Sequence, residues 1–402
     1  MEITQFQFSG GDNIIANIIW FVLFFAMFFI YPRLMLTQMI WKLEQTANML
    51  DGFTNTARRL VTRKISKNPS KELRESIRSF LDFFVIEPVN VDPYGILKKL
   101  EHLVNLSEKR FKYFVKNAAP KHDQETQANL MMGLSGAISL NHINKIVKHY
   151  IELIKKTKNL QLAMILQMQM PLIERISKAL LKGTEALTNG WPIGDAAGPL
   201  VASHLINNSK TKEVDEDTIA VTKRIKGKTV FIVKAKGPGG RLGKIGKVVE
   251  RYVKRQRVAK IITVDAAAKF EGEKTGSIAE GIGVAIGGVG VDRAYIENIA
   301  TARDIPLDTY VIKMSSEEAI MPMKAEVLNS VPKVVGMVEG NIARTKEKGS
   351  IIVVGVGNTS GIGNSKKDAV SAEPLIKTNA RVLKIWEEEE KKKEKKWFDF
   401  GF

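Results

Sequence analysis

Residues 14–31 read Ile-Ile-Ala-Asn-Ile-Ile-Trp-Phe-Val-Leu-Phe-Phe-Ala-Met-Phe-Phe-Ile-Tyr, eighteen residues with no charge and one polar amide, Asn17. At a helical rise of 1.5 Å per residue they span roughly 27 Å, enough to cross the hydrocarbon core of a bilayer. The run is apolar on every face, which sets it apart from the one-sided core helix of a soluble domain. Trp20 and Tyr31 can lie toward the two interfaces. Glu2 and Asp12 precede the run and no Lys or Arg does, whereas Arg33, Lys42, Arg58, Arg59, Arg63 and Lys64 follow it. That order lacks the basic start of a signal peptide. It predicts a single-pass protein of the cell membrane: an extracytoplasmic tail at 1–13, a transmembrane helix at 14–32, and a cytoplasmic remainder.

Residues 33–185 read as an all-α stalk and helical domain. Leu36, Met39, Ile40, Leu43 and Ala47 recur at helical spacing, so the span is expected to continue as one rod to about residue 66. Asn68-Pro69-Ser70 stops it, and Ser70 caps the next helix, with Glu72 in its first turn. That helix is expected to end near Glu87-Pro88, with another starting at Asp92-Pro93. Long helical patterns follow over 122–156 and 160–182. Met164, Leu166, Met168 and Met170 form a Met-rich patch that reads as flexible core. A domain of this kind suits assembly, and a homo-oligomer formed through it is one expectation.

From residue 186 glycine becomes frequent and strands alternate with helices. Asn207 to Asp217 reads as a polar loop, and strands are expected at 228–233, 258–264, 307–313 and 351–356. Helices are expected at 245–255, 293–303, 317–329 and 332–347. The alternation predicts an α/β domain over 186–385 with a largely parallel sheet. Residues 386–402 form a charged tail whose Glu-to-Lys spacing suits an exposed helix.

Composition removes several chemistries. With no cysteine, disulfides, thiol catalysis and Cys-based zinc sites are excluded. The five histidines make no H-E-x-x-H motif, and His142 and His149 read as surface. The net charge of +18 suits nucleic acid or an anionic membrane. Basic and aromatic residues do not interleave, however, so nucleic acid is not the expected partner.

Two aspartate motifs carry the candidate chemistry. Gly194-Asp195-Ala196-Ala197-Gly198-Pro199 leads into an apolar helical segment, so Asp195 should sit at a helix start. Val264-Asp265-Ala266-Ala267-Ala268 ends an apolar β-branched run, so Asp265 should sit at the carboxyl end of a strand. Ligand sites in open α/β sheets gather at such places. The bland reading makes Asp195 an N-cap and Asp265 a turn residue. Between the motifs, Gly237-Pro238-Gly239-Gly240-Arg241-Leu242-Gly243-Lys244 sits where phosphate loops sit. It matches neither the Walker A nor the dinucleotide pattern. The run from Gly281 to Gly290 permits close backbone approach.

In series these residues resemble the germination protease of bacterial spores. Gly194-Asp195-Ala196-Ala197-Gly198-Pro199-Leu200-Val201 looks like its Asp-x-x-Gly-Pro-x-Val segment, and Val264-Asp265-Ala266-Ala267-Ala268 looks like its second aspartate motif. The first is also similar to the Asp-Gly-x-Gly segment of hydrogenase maturation proteases. The resemblance covers roughly residues 190–325. It implies a phosphorylase/hydrolase-like α/β fold, with Asp195 and Asp265 as catalytic residues in peptide-bond cleavage. Both families carry a Gly-x-Gly-Asn strand before the first aspartate, which is missing here. Val354-Gly355-Val356-Gly357-Asn358 supplies that pattern near the C-terminus, which implies a circular rearrangement bringing Asn358 to Asp195. The whole chain also resembles an archaeal family of membrane proteins of unknown function.

Two functions follow as expectations. In the first, a membrane-anchored cytoplasmic peptidase or related hydrolase uses Asp195 and Asp265 on a polypeptide substrate. Gly194, Gly239, Gly240, Gly287, Gly288 and Asn358 would line the substrate site, and Glu271 and Glu273 stand by as spare acids. Two close carboxylates divide acid and base roles between them. They can also hold a divalent cation, and the sequence leaves both versions open. In the second, the chain is a non-catalytic membrane scaffold on a degenerate hydrolase fold. A weaker third reading is a nucleotide or nucleic-acid binder using Arg241, Lys244 and Lys247.

Overall fold

The computed structural model describes residues 14–85, 95–287 and 290–399 (side chains of 14–17, 391 and 393–399 excepted). The expected tail at 1–13, the helix boundaries at Glu87-Pro88 and Asp92-Pro93, and Gly288 lie outside the described residues. The chain groups into two compact units: residues up to Asp51 with Ile143–Glu174, and Gly52–His142 with Arg175–Phe402.

Five long or medium helices come first: α1 (Ile14–Ile65), α2 (Lys71–Phe80), α3 (Ile96–Ala118), α4 (Gln124–Thr157) and α5 (Leu160–Asn189). α1 is the expected rod, unbroken through Pro32. Its apolar part has a mean hydropathy of 2.0 over eighteen residues with none of that window buried, so it is long and apolar enough to cross a membrane.

In the first unit, Leu36, Leu43, Ala47 and Leu50 of α1, Val147, Ile151 and Ile154 of α4, and Ala163 and Met170 of α5 are buried. Asp51 accepts from Asn144 at 2.6 Å and pairs with Lys148, while Glu44 pairs with Lys155 at 2.6 Å. The Met-rich patch divides by helical spacing: Leu166 and Met170 face inward, whereas Met164 and Met168 are exposed.

In the second unit, the end of α1, α2, α3 and the start of α4 close around Val61, Ile77, Val115, Leu130 and Leu134. Phe80 stacks on Phe114 and Phe83 and meets Phe111 edge-on. Ser70 caps α2 as expected, accepting from Leu73 N at 3.2 Å, but α2 ends at Phe80.

The rest of this unit is a seven-stranded sheet with helices on both faces. In chain order come a 3-10 turn (Gly194–Ala196), α6 (Ala197–Ile206), β1 (Lys212–Asp215), β2 (Thr218–Ile225), β3 (Lys228–Ala235), α7 (Ile245–Arg255), β4 (Val258–Ala268) and β5 (Ile278–Ile282). Then follow α8 (Val291–Ala302), β6 (Leu307–Met314), α9 (Ser316–Ile320), α10 (Ala325–Arg344), β7 (Ser350–Gly355) and α11 (Lys366–Asp399). The strand order is β1-β2-β3-β7-β4-β6-β5. The sheet is mixed. β3, β7, β4 and β6 run parallel; at one edge β2 pairs antiparallel with β3 and β1 with β2, and at the other β5 pairs antiparallel with β6.

Each face of the sheet has its own core. Ile232, Ile262, Val264, Ile351 and Val353 pack under α6, α10 and α11, while Val233, Ile261, Ile352 and Val354 pack under α7 and α8. β7 is buried along its whole length, as its unbroken apolar run requires of a strand covered on both faces.

Several expectations are corrected. The loop at 207–217 contains β1, and β2 follows it. The β2–β3 hairpin turns at Lys226-Gly227, both at positive φ, and its Lys-Gly turn escapes the usual Asn-Gly signal. The glycine run at 281–290 begins inside edge strand β5. The helices expected at 317–329 and 332–347 are instead α9 and α10, with Pro332 inside α10. The break falls at Met321–Lys324 because Gly194 N donates to Met321 O and Met323 N to Pro192 O, which holds that stretch extended. The charged tail, as far as Asp399, is the end of α11.

Candidate functional site

The parallel strands β4 and β7 pair as far as Val264 and Gly355. The last link is Val356 N donating to Val264 O at 2.9 Å. Beyond it β4 continues with β6 alone, to Ala268 opposite Met314. The sheet therefore parts between two central strands at their carboxyl ends, and Asp265 is the first β4 residue past the parting. Three more strand residues, Ala266, Ala267 and Ala268, follow it, so it is not a turn residue.

Asp195 reaches the same place from the other side. It sits in the 3-10 turn before α6, and the cap position of α6 is Ala196, which makes no side-chain cap bond. Its carboxylate is used across the fold, where Asn358 N donates to Oδ2 at 2.8 Å. The approach is possible because α6 lies directly on the strand ends. A Cβ on Gly198 would stand 2.1 Å from Val356 O and 2.4 Å from Val264 O. Gly357, at φ +125°, leaves no room for one against Asp195 O.

The two carboxyl groups interact. Burial pushes the carboxyl of Asp265 up, the neighbouring Asp195 charge pushes it further, and the N–H groups of Ala266 and Gly287 oppose both, leaving it at about 8. Burial likewise raises Asp195, against the Asn358 N–H. Asp195 is partly exposed at its surface yet deep enough in protein for burial to dominate, and Asp265 is only 5% exposed. At about 8, Asp265 keeps its proton near neutrality, and a negative charge on Asp195 favours that neutral form.

Of the expected site residues, Asp195, Asp265, Asn358 and Gly287 come together. Gly240 flanks Asn358, a Cβ there lying 3.4 Å from its Oδ1. Gly194 is used structurally, its N–H bonded to Met321 O at 3.1 Å and its α-carbon against Glu318 O. Gly239 N donates to Glu125 Oε2 at 2.6 Å and Gly240 N to Asn129 Oδ1 at 2.8 Å, so the donors expected to meet a ligand meet α4. Glu273 pairs with Lys313, and Glu271 is exposed, which makes that stretch a solvated turn.

The cations of the third reading are also engaged. Arg241 is buried against Glu125, with Nη1 2.5 Å from Oε2, and Asp217 is 3.0 Å from its Nε. Lys244 pairs with Glu216 at 2.7 Å and Lys247 with Glu101. Sequence reading missed Thr359, which is fully buried. Its hydroxyl donates to Gly239 O at 2.8 Å and accepts from Arg241 N at 3.2 Å, tying the Pro-Gly loop to the end of β7. Glu125 and Asn129 were missed too. More than a hundred residues separate them from the loop they hold, and no local pattern marks them.

Among the described residues no group of three or more His, Cys, Asp or Glu converges. A divalent cation at the pair would have two protein carboxylates and would take its remaining oxygen ligands from water or substrate.

The class so defined is an α/β protein with a mixed sheet, preceded by a helical region that carries one apolar helix. Two family models match the chain: the N-terminal domain of a "protein of unknown function (DUF1512)" over residues 17–190, and the "domain of unknown function (DUF1512) C-terminal" over 193–363. The chain belongs to the DUF1512 family. No curated protein and no solved structure matches it. Neither family match is to the germination-protease or hydrogenase-maturation groups.

Proposed function

We propose that this protein is a membrane-anchored hydrolase of peptide bonds whose reacting groups are Asp195 and Asp265. The observation that carries the reading is that Asp195, tied to Asn358 N–H, and Asp265 converge where β4 and β7 part. Asp265, which keeps its proton near neutrality, serves as the acid, and Asp195, whose Oδ2 accepts from Asn358 N–H, as the base. Asp195 takes a proton from water, and the water oxygen attacks the scissile carbonyl carbon. Asp265 donates its proton to the carbonyl oxygen. The C–N bond then breaks as Asp195 passes its proton to the amine, and Asp265 recovers its own from the hydroxyl.

The resemblance to the spore germination protease supports this reading at a second point. The Gly355-Val356-Gly357-Asn358 segment leaves a central strand beside β4, where a rearranged hydrolase-like fold needs it. The apolar part of α1 supports an anchor in the cell membrane, with the basic residues after it on the cytoplasmic side. The test is hydrolysis of a mixed peptide library by the detergent-solubilised full chain, D195N and D265N, read by mass spectrometry. Cleavage that both variants lose carries the reading; cleavage that survives both, or no cleavage by the wild type, overturns it.

A second reading, a non-catalytic scaffold, draws on the Pro-Gly loop. Its donors and Arg241 are spent on α4, which suits a loop that joins parts of the fold.

A further inference from the structure

A cavity of about 600 Å³ opens where the end of α1 meets α2. Six cations line it: Arg58, Arg59 and Arg63 of α1, Lys67 of the connection, and Arg74 and Arg78 of α2. Glu75 is the one carboxylate on its wall. The ordered contacts of these cations are to neutral groups. Arg58 donates to Asn55 Oδ1 at 2.9 Å and Arg59 to Thr56 Oγ1 at 3.1 Å. Among the described residues none of the six pairs with an acid.

This arrangement works against folding. Arg59 and Arg63 are one helical turn apart, as are Arg74 and Arg78, and like charges at that spacing destabilise a helix. Folding then brings the two pairs to one cavity. Cations in the last turn of a helix gain from its dipole, which accounts for Arg63 on α1 and Arg78 on α2 but not for Arg58, Arg59, Lys67 or Arg74. An anion in the cavity would offset the repulsion on both helices.

The wall also indicates the kind of anion. Guanidinium groups match phosphate oxygens in bidentate pairs, and five of the six cations are arginines. Among the described residues no aromatic side chain lines the cavity, so none of them stacks a base or ring there. The volume lies within the roughly 300–1,000 Å³ typical of small-molecule sites, and the wall is concave rather than flat. We propose that this cavity binds an oligophosphate, a chain of linked phosphoryl groups, either free or carried on a nucleotide. The site is separate from the aspartate pair and does not depend on how that pair is read.

The test is calorimetric titration of the detergent-solubilised full chain with sodium tripolyphosphate and, separately, with ATP. Saturable binding is expected that weakens steeply with added NaCl and falls at least about tenfold in R63Q/R74Q. Arg63 and Arg74 are both exposed, so the double variant should keep its melting temperature without ligand. Should it fail to fold, R74Q alone is read in the same way. Equal affinity for the two ligands assigns the site to a free phosphoryl chain; tighter binding of ATP assigns it to a nucleotide. Absence of saturable binding at millimolar ligand, equal binding by the variant, or binding of single-stranded RNA without binding of tripolyphosphate overturns the proposal.

Discussion

Asn358 donates its backbone N–H to Oδ2 of Asp195 at 2.8 Å, across 163 residues of chain. The bond ties the end of β7 to the turn that opens α6, and it supports a negative charge at Asp195. Asp265 beside it is held in the opposite sense, with burial and the Asp195 charge favouring its neutral form. Burial raises both carboxyls, while the Asn358 N–H favours the charge on Asp195 and the Asp195 charge favours the proton on Asp265.

Stability should depend on pH through Asp265. Its carboxyl lies at about 8 in the folded chain and near 3.9 when unfolded. Between those values the folded state binds more protons, so its stability is complete below about pH 4 and is lost as pH rises through about 8. The slope contributed is at most about 1.4 kcal/mol per pH unit. D265N should flatten this dependence and melt higher than wild type at pH 8. Thermal melts at pH 5 and pH 8 check it, and an unchanged pH dependence in D265N would contradict it.

The rate of peptide hydrolysis should follow the same proton. It should hold across neutral pH and fall as pH rises through about 8, when Asp265 loses its proton. D195N and D265N should each lower kcat by at least about 100-fold, the lower end of general acid–base contributions. A pH–rate profile with no alkaline limb would argue against Asp265 as the acid.

G198A should damage the fold well beyond an ordinary Gly-to-Ala change in a helix. The added methyl meets backbone oxygens of both Val356 and Val264, which no rotamer change can move aside. A loss of about 3 kcal/mol or more is expected, read as a fall in the melting temperature. Because α6 must lift, the Asp195–Asn358 bond should be lost with it.

E125A should destabilise by about 3 kcal/mol, because it leaves the buried guanidinium of Arg241 with Asp217 as its one carboxylate partner. E125A/R241M should recover part of that loss, since the stranded charge is gone. A double variant no more stable than E125A would show that the loop bonds of Gly239 dominate.

The apolar part of α1 should hold the chain in the membrane through alkaline carbonate extraction. Removal of residues 1–33 should release it to the soluble fraction. Retention of the shortened chain would place the anchor elsewhere.

Where the pattern was local, the sequence was enough. An uncharged apolar run predicted the first helix, and helical spacing carried it through Pro32. Ser70 announced a cap, and α7 appears at the expected 245–255. The two aspartates stood out because small residues and glycines flank them, and those glycines are where backbones touch. The edge strands were harder to read. β1 is four exposed or half-exposed residues, and β5 shares its residues with a glycine run. Neither has the buried alternation that marks a strand.

What depended on local chemistry, namely helices, buried strands and the residue types of the site, could be read along the chain. What depended on pairing across long stretches could not. The insertion of β7 between β3 and β4 and the use of the Pro-Gly loop by Glu125 and Asn129 come from contacts roughly ninety or more residues apart. The raised carboxyls of Asp195 and Asp265 belong to this second group. Burial raises both carboxyls, and the Asp195 charge raises Asp265 further, only after α6 has settled onto the ends of β4 and β7.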